Sequence, residues 1–334
     1  MRAFTLAIGV AFVLVAVVSQ DAHAYLHFTT SRAGESRVLK WQRTPVRWFA
    51  ADRGASGVSA SDFQAAMARA FAKWEAVPTA SIAFQFVGVT GAEPFDDDNM
   101  SVLGFQSHPE MERVLGATGF LIDTITGEIV ESDIFFNTAF LWSTAAQGDL
   151  ARFDLESVAV HEIGHFLGLG HSALGETEMR PEGGRRVLGS AAVMFPIALG
   201  RGITHDRELQ PDDIAGVSDL YPEAGFRERS GVARGRVTRN GAGILGAHVA
   251  AFNPETGALI AAFTLNNDGE FQIAGLAPGP HVIRAEPLDD ADIESFFSRP
   301  GAIDIGFLVT FHDRLFIAPA GGAGEQVTVA VRPK

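Results

Sequence analysis

The sequence predicts an α+β domain followed by a small all-β sandwich over residues 232–334. Three observations carry this. Phe63, Met67, Ala70, Phe71 and Trp74 recur at helical spacing, between runs that alternate apolar and polar as strands do. After Pro222 the helical spacing stops, and short alternating runs recur between turns of the Asn-Gly, Asn-Pro and Pro-Gly type. A length of 334 residues, 47% of them hydrophobic, suits two cores.

The chain opens with Arg2, an apolar run from Phe4 to Val18, and Ala22-His23-Ala24 as a small-x-small cleavage site before Tyr25. Residues 1–24 therefore read as a secretory signal peptide, because the run is shorter than the roughly 20 residues a membrane span needs. This predicts a secreted protein, periplasmic if the source is Gram-negative, with no membrane span once the signal is cleaved. Residues 25–39 are a polar lead, too short for a folded prodomain. A net charge of -14 without basic runs argues against nucleic acid or anionic membrane as partner. Cysteine is absent, so no disulfide framework supports the fold.

Thr44 to Phe49 reads as a first strand and Ser61 as a helix start, with Gln64 three residues on as a capping box requires. Pro78 marks the end of that helix, and Ile82–Val87 and Met100–Phe105 read as further strands. Between them, Asp96-Asp97-Asp98 offers hard oxygen ligands suited to Ca2+, against a plain solvated loop as the commoner use of such a run. Gly116–Asp123 and Ile129–Asn137 are strands joined by a turn at Thr124–Glu128. Asp154 caps a helix running from Leu155 to about Leu167.

That last helix carries His161-Glu162-Ile163-Gly164-His165, continued by Gly168 and His171. Histidines four apart share one helix face, so both imidazoles reach one metal ion. Glu162 lies beside that ion, poorly placed to ligate and well placed to act as a general base. Gly168 falls where the helix must stop and the chain turn, bringing His171 to the same ion. Three neutral imidazoles and one open position are a catalytic zinc arrangement, not a closed structural one. Three histidines left unpaired in an apolar segment would be costly.

HExxHxxGxxH followed by Ser172 resembles the metzincin metalloproteases, and within them the matrixins, the matrix metalloprotease-like family. The resemblance covers about residues 40–223 and implies there a twisted mixed sheet with long helices. It implies one catalytic zinc on His161, His165 and His171, with Glu162 as the base and a peptide or protein as substrate. It implies that Gly116–Ile122 edges the cleft and pairs with the substrate backbone. It also implies a methionine turn beneath the metal. Met194, in Ala192-Val193-Met194-Phe195-Pro196, matches the family's local pattern better than Met179, whose charged neighbours Glu178 and Arg180 suit a surface insertion over Glu176–Arg186. Asp212 and Asp213, in the stretch leading to Tyr221-Pro222, match carboxylates that in the family hold the methionine turn and the mature N-terminus.

Two departures matter. The second, structural zinc of the animal enzymes lacks its ligands here, since Ala117, Thr118, Gly119 and Asp133–Asn137 stand in those strands and His108 alone cannot replace them. The cysteine that keeps animal matrixins latent is also missing, which leaves His27 or Glu35 of the lead, a separate inhibitor, or export in the unfolded state.

Residues 224–231 are a charged linker. Beyond it, Asp268-Gly269-Glu270-Phe271 and Gly275–Gly279 resemble the carboxypeptidase-regulatory-like domains, which implies an accessory module separable from the first domain. The sequence therefore predicts a secreted zinc endopeptidase. The alternative is a secreted adhesion or carbohydrate-binding protein on an inactive peptidase-like scaffold. Retention of Glu162 speaks against that alternative. The oligomeric state is not legible.

Overall fold

The computed structural model of the chain describes residues 26–32, 35–181 and 183–334, together with the backbone of Phe4–Ala7. The remainder of the expected leader, with its cleavage site, lies outside the described residues. Among the described residues, no helix is long and apolar enough to cross a membrane.

The first domain is a six-stranded mixed sheet in the order Phe4–Ala7, Gly116–Asp123, Ile129–Asn137, Val102–Gln106, Val46–Ala51, Phe84–Thr90. The last four are mutually parallel, and Gly116–Asp123 runs antiparallel to Ile129–Asn137. Parallel neighbours need a crossover. Helix α1, Ala60–Glu75, supplies it between Val46–Ala51 and Phe84–Thr90. Ser59 caps α1, two residues before the expected start, its hydroxyl accepting the Asp62 N–H at 3.1 Å. The helix closes at Glu75, ahead of Pro78.

Helix α2, Leu155–Phe166, packs on α1. Trp74 donates its indole N–H to the Val160 carbonyl at 2.9 Å, and Phe71 meets Phe166 edge-on. Helix α3, Pro211–Leu220, closes the domain from the far side, with Val217 and Leu220 in the same core as Met67 and Ile163.

The lead is part of this domain. Thr29–Arg32 and Glu35–Val38 form a hairpin that the polar composition did not announce. Before it, the Leu26 carbonyl accepts the Gly170 N–H and the Phe28 N–H donates to the Gly168 carbonyl at 2.9 Å. Phe28 is buried between Phe120 and the ring of His165.

In the second domain two sheets face each other. One contains Gly231–Arg239, Glu270–Leu276 and Val327–Ala330, and the other His248–Phe252, Leu259–Phe263 and Gly279–Glu286. Val237, Phe271, Ile273 and Val329 of the first meet Val249, Ala262, Ile283 and Ala285 of the second in one core. The Asn240-Gly241 turn has both residues at positive φ, 53° and 84°, as a two-residue hairpin requires.

The two domains pack against each other. Leu174 and Ala192 share a cluster with Ala250 and Ala261. Ala173 and Phe195 share another with Phe263, Leu288, Phe296 and Phe297. The charged insertion is a hairpin, Gly175–Met179 with Arg185–Ser190, and it too reaches the second domain.

Phe28→Ala tests the role of the lead. Removing a buried phenylalanine is expected to destabilise the chain by about 3–5 kcal/mol in urea unfolding. A loss below about 1 kcal/mol would show the lead to be a loose tail.

Candidate active site

Helix α2 begins at Asp154, whose carboxylate accepts the N–H and the hydroxyl of Ser157 at 2.8 and 2.7 Å and is paired with the Arg207 guanidinium. One turn apart on its second half stand His161 and His165. The helix ends at Phe166 and the chain turns at Gly168, where φ is +101° and a Cβ would lie 2.2 Å from the Leu39 carbonyl oxygen, so only glycine permits the turn. The chain then brings His171 back, and the ligand atoms of the three imidazoles all lie within 4.8 Å of one another.

Each ring is oriented from behind. His161 Nδ1–H donates to the Val193 carbonyl at 2.7 Å, His165 Nδ1–H to that of Leu169 at 2.8 Å, and His171 Nδ1–H to that of Ser295 at 2.7 Å. A carbonyl only accepts, so each proton sits on Nδ1 and each Nε2 offers a lone pair. Burial pushes all three imidazoles below their ordinary value, His171 down to about 3, and mutual repulsion adds to this at His165 and His171. The Nε2 atoms of His165 and His171 face each other at 3.1 Å. Two lone pairs at that distance repel unless a cation lies between them. The donor set therefore fits a borderline-soft divalent ion such as zinc.

Glu162 is buried next to this group, and burial raises its carboxyl to about 7. The Thr118 hydroxyl, on the strand Gly116–Asp123, lies 2.8 Å from its Oε2. A Cβ on Gly116 would approach Glu162 Oε1 to 3.3 Å, so the strand runs directly past the carboxylate. Phe120–Asp123 are paired on the outer side by Phe4–Ala7, antiparallel. Among the described residues Gly116–Gly119 have no neighbour on that side.

Met194 is 2% exposed, and its sulfur would lie 2.2 Å from a Cβ on Gly164, so it packs tightly under the helix between the two first histidines. Met179 is 64% exposed, on the inserted hairpin. The Asp213 carboxylate accepts the Val193 and Met194 N–H groups at 2.9 and 3.1 Å and that of Gln210 at 2.8 Å. Pro196 follows the turn, half-buried. Asp212 accepts the Ser172 hydroxyl at 2.6 Å and the Ala261 N–H of the second domain at 2.8 Å, while the expected mature N-terminus at Tyr25 lies outside the described residues. Burial raises Asp212 to about 7 and Asp213 to about 6. Tyr221 donates its hydroxyl to the Leu167 carbonyl at 2.6 Å and accepts the Trp41 N–H at 3.0 Å, which pins the end of α2.

A histidine pair one helical turn apart, a third imidazole beyond a glycine turn, and a buried methionine beneath them are brought together as the metzincin motif implies. The model of the matrixin family matches residues 40–184. The chain is 34% identical to metalloendoproteinase 1 of Glycine max over 48% of its length and 45% of the relative's. It is 32% identical to metalloendoproteinase 2-MMP of Arabidopsis thaliana, over 48% of its length and 37% of the relative's. It is 30% identical to human matrix metalloproteinase-19, over 47% of its length and 26% of the relative's. The chain thus spans less than half the length of these relatives.

The remaining candidate residues lie elsewhere. His108 packs at a tilt against Phe135 and shares its two ring nitrogens with Glu110 and Gln106. Asp96 and Asp98 accept the backbone N–H groups of Glu93 and Met100, forming turns. In the lead, Glu35 pairs with Arg37, and His27 is buried beside Leu169. Thr118 and Ser295 were not singled out from sequence. A threonine in a strand has no motif around it, and the atom Ser295 contributes belongs to its backbone.

Behind Asp97 and Asp98 the structure buries Glu131, whose Oε2 lacks a hydrogen-bond partner, close to Asp133. Burial raises Glu131 to about 7, the Asn99 N–H opposes this, and the charges of Asp98 and Asp97 add to it. A raised carboxyl contributes stability that is complete below its unfolded value near 4.5 and is lost as pH rises through about 7. Urea unfolding from pH 5 to 8 is therefore expected to show Glu131→Gln flattening the decline, by on the order of 2–3 kcal/mol at pH 8. Equal slopes for parent and variant would contradict this placement.

Proposed function

We propose that the chain is an exported zinc-dependent endopeptidase in which His161, His165 and His171 hold one zinc and Glu162 is the general base. The observation that carries this reading is the convergence of three Nε2 lone pairs beside a buried carboxylate. Zinc, when bound, lowers the pKa of a coordinated water toward about 7 and polarises the scissile carbonyl.

The chain's residues do the rest. Glu162 takes the proton of the attacking water on a carboxylate oxygen and returns it to the amine nitrogen as the C–N bond breaks. Burial of this carboxyl makes it a stronger base than an exposed glutamate, and Thr118 holds it in place. The substrate backbone would pair as an added strand with the free edge at Gly116–Gly119. Antiparallel pairing of Phe4–Ala7 with Phe120–Asp123 supports the capacity of that edge to take an extended segment. Met194 supports the floor of the site, and Asp213 fixes the turn that carries it. Export rests on the leader read from residues 1–24. The adhesion or carbohydrate-binding alternative would leave Glu162 without a task.

Glu162→Ala is expected to retain zinc and fold while turnover of an unfolded protein substrate falls roughly 10²–10⁴-fold. A chelator should abolish the parent's activity, and metal analysis should give one zinc per chain. Turnover within a few-fold of the parent in Glu162→Ala would refute the assigned base.

A further inference from the structure

His171 stands outside helix α2, and among the described residues no group of the first domain accepts its Nδ1–H. The acceptor is the Ser295 carbonyl, 124 residues further along the chain and in the second domain. The acceptors for His161 and His165 both come from the first domain. Ser295 ends a single 3-10 turn, Ile293–Ser295, in which the Ser295 N–H bonds the Asp292 carbonyl and the N–H groups of Phe296 and Phe297 bond that of Ile293, all at 2.9 Å. The carbonyl is therefore held by its neighbours and does not swing freely.

This loop is fixed on two sides. Inside, Phe296 and Phe297 are buried against Phe263, with centroids 5.5 and 5.6 Å apart, and Phe296 meets the ring of His171 edge-on at 6.2 Å. Outside, it is gripped by the hairpin inserted between His171 and Met194. Thr177 donates its N–H to Asp290 Oδ1 at 3.1 Å and its hydroxyl to the Asp290 carbonyl at 2.5 Å. Arg185 donates to the Asp289 carbonyl at 2.9 Å and to Asp292 Oδ1 at 3.3 Å. No function assigned above makes use of this hairpin.

We propose that the Asp289–Phe297 loop of the second domain is a positioning element of the metal site. Its Ser295 carbonyl sets the tautomer and ring angle of His171, and the inserted hairpin holds the loop in register. The second domain then completes the coordination machinery of the first. Without that carbonyl the His171 proton has no reason to sit on Nδ1, and the ring loses its aim. The inference rests on the three-histidine reading of the site.

The test uses the full chain and a zinc-chelator competition that reads the zinc dissociation constant. Thr177→Val combined with Arg185→Ala loosens the loop from outside, and Phe296→Ala loosens it from inside. Val329→Ala, in the sandwich core away from the loop, serves as a control for general destabilisation. Both loop variants should bind zinc about 10–100-fold more weakly, as loss of an outer partner of a ligating histidine does. The control should bind within twofold of the parent. In the zinc-free protein, nitrogen NMR should find His171 as the Nδ1–H tautomer in the parent and as a mixture in the loop variants. Loop variants that bind zinc as the parent does, or a control that loses as much as they do, would overturn the inference. A parent that binds no zinc at all would overturn the proposed function with it.

Discussion

The structure depends on keeping one buried and two half-buried imidazoles neutral with their lone pairs pointing inward. Burial, with mutual repulsion added at His165 and His171, keeps them neutral, as the lowered values of all three show. It does not choose which nitrogen carries the proton. That choice is made by three backbone carbonyls, at Val193, Leu169 and Ser295. Each has to be delivered by a different piece of chain, and much of the fold can be read as the means of delivery. The turn at Gly168 brings Leu169 under His165. The turn at Met194 brings Val193 under His161, with Asp213 fixing it from below. The loop ending in Phe296 brings Ser295 to His171.

This requirement ties together parts of the chain that look unrelated. Leu26–Phe28 pair with Gly168–Gly170, so the lead supports the turn between the second and third histidines. Tyr221 holds the Leu167 carbonyl just before that turn, and its own hydroxyl is set by Trp41. Asp212 joins Ser172, next to the third histidine, to Ala261 of the second domain. Burying two adjacent carboxylates is unfavourable, and both are raised in consequence. Their hydrogen bonds to the backbone are what keep them in place.

Most of the catalytic half was legible because its determinants are local. The eleven-residue motif contains its own geometry, as 3.6 residues per turn aligns His161 with His165 and Gly168 allows the reversal. The strands Gly116–Asp123 and Ile129–Asn137 fall at the expected bounds, on either side of the expected turn. The first helix cap was misplaced by two residues because Ser59 and Ser61 offer equivalent side chains, and packing of Phe63 and Trp74 decides between them. What could not be read is what crosses between domains. The Ser295 contact uses a backbone oxygen, which leaves no mark in the side-chain pattern. Asp212 was matched to a family role, yet its partners here are a hydroxyl and an amide from distant segments. The inserted hairpin looked like plain surface because its residues are charged, although the charge of Arg185 faces the second domain.

The central claim is that three imidazole nitrogens, and no carboxylate, hold one zinc. X-ray absorption at the zinc edge of the loaded chain tests it most directly. The predicted spectrum is that of a four-coordinate ion with nitrogen and oxygen neighbours at about 2.0–2.1 Å and the multiple-scattering pattern of three imidazoles. A fit that requires two imidazoles or fewer, or a directly bound carboxylate from Glu162, would contradict the account.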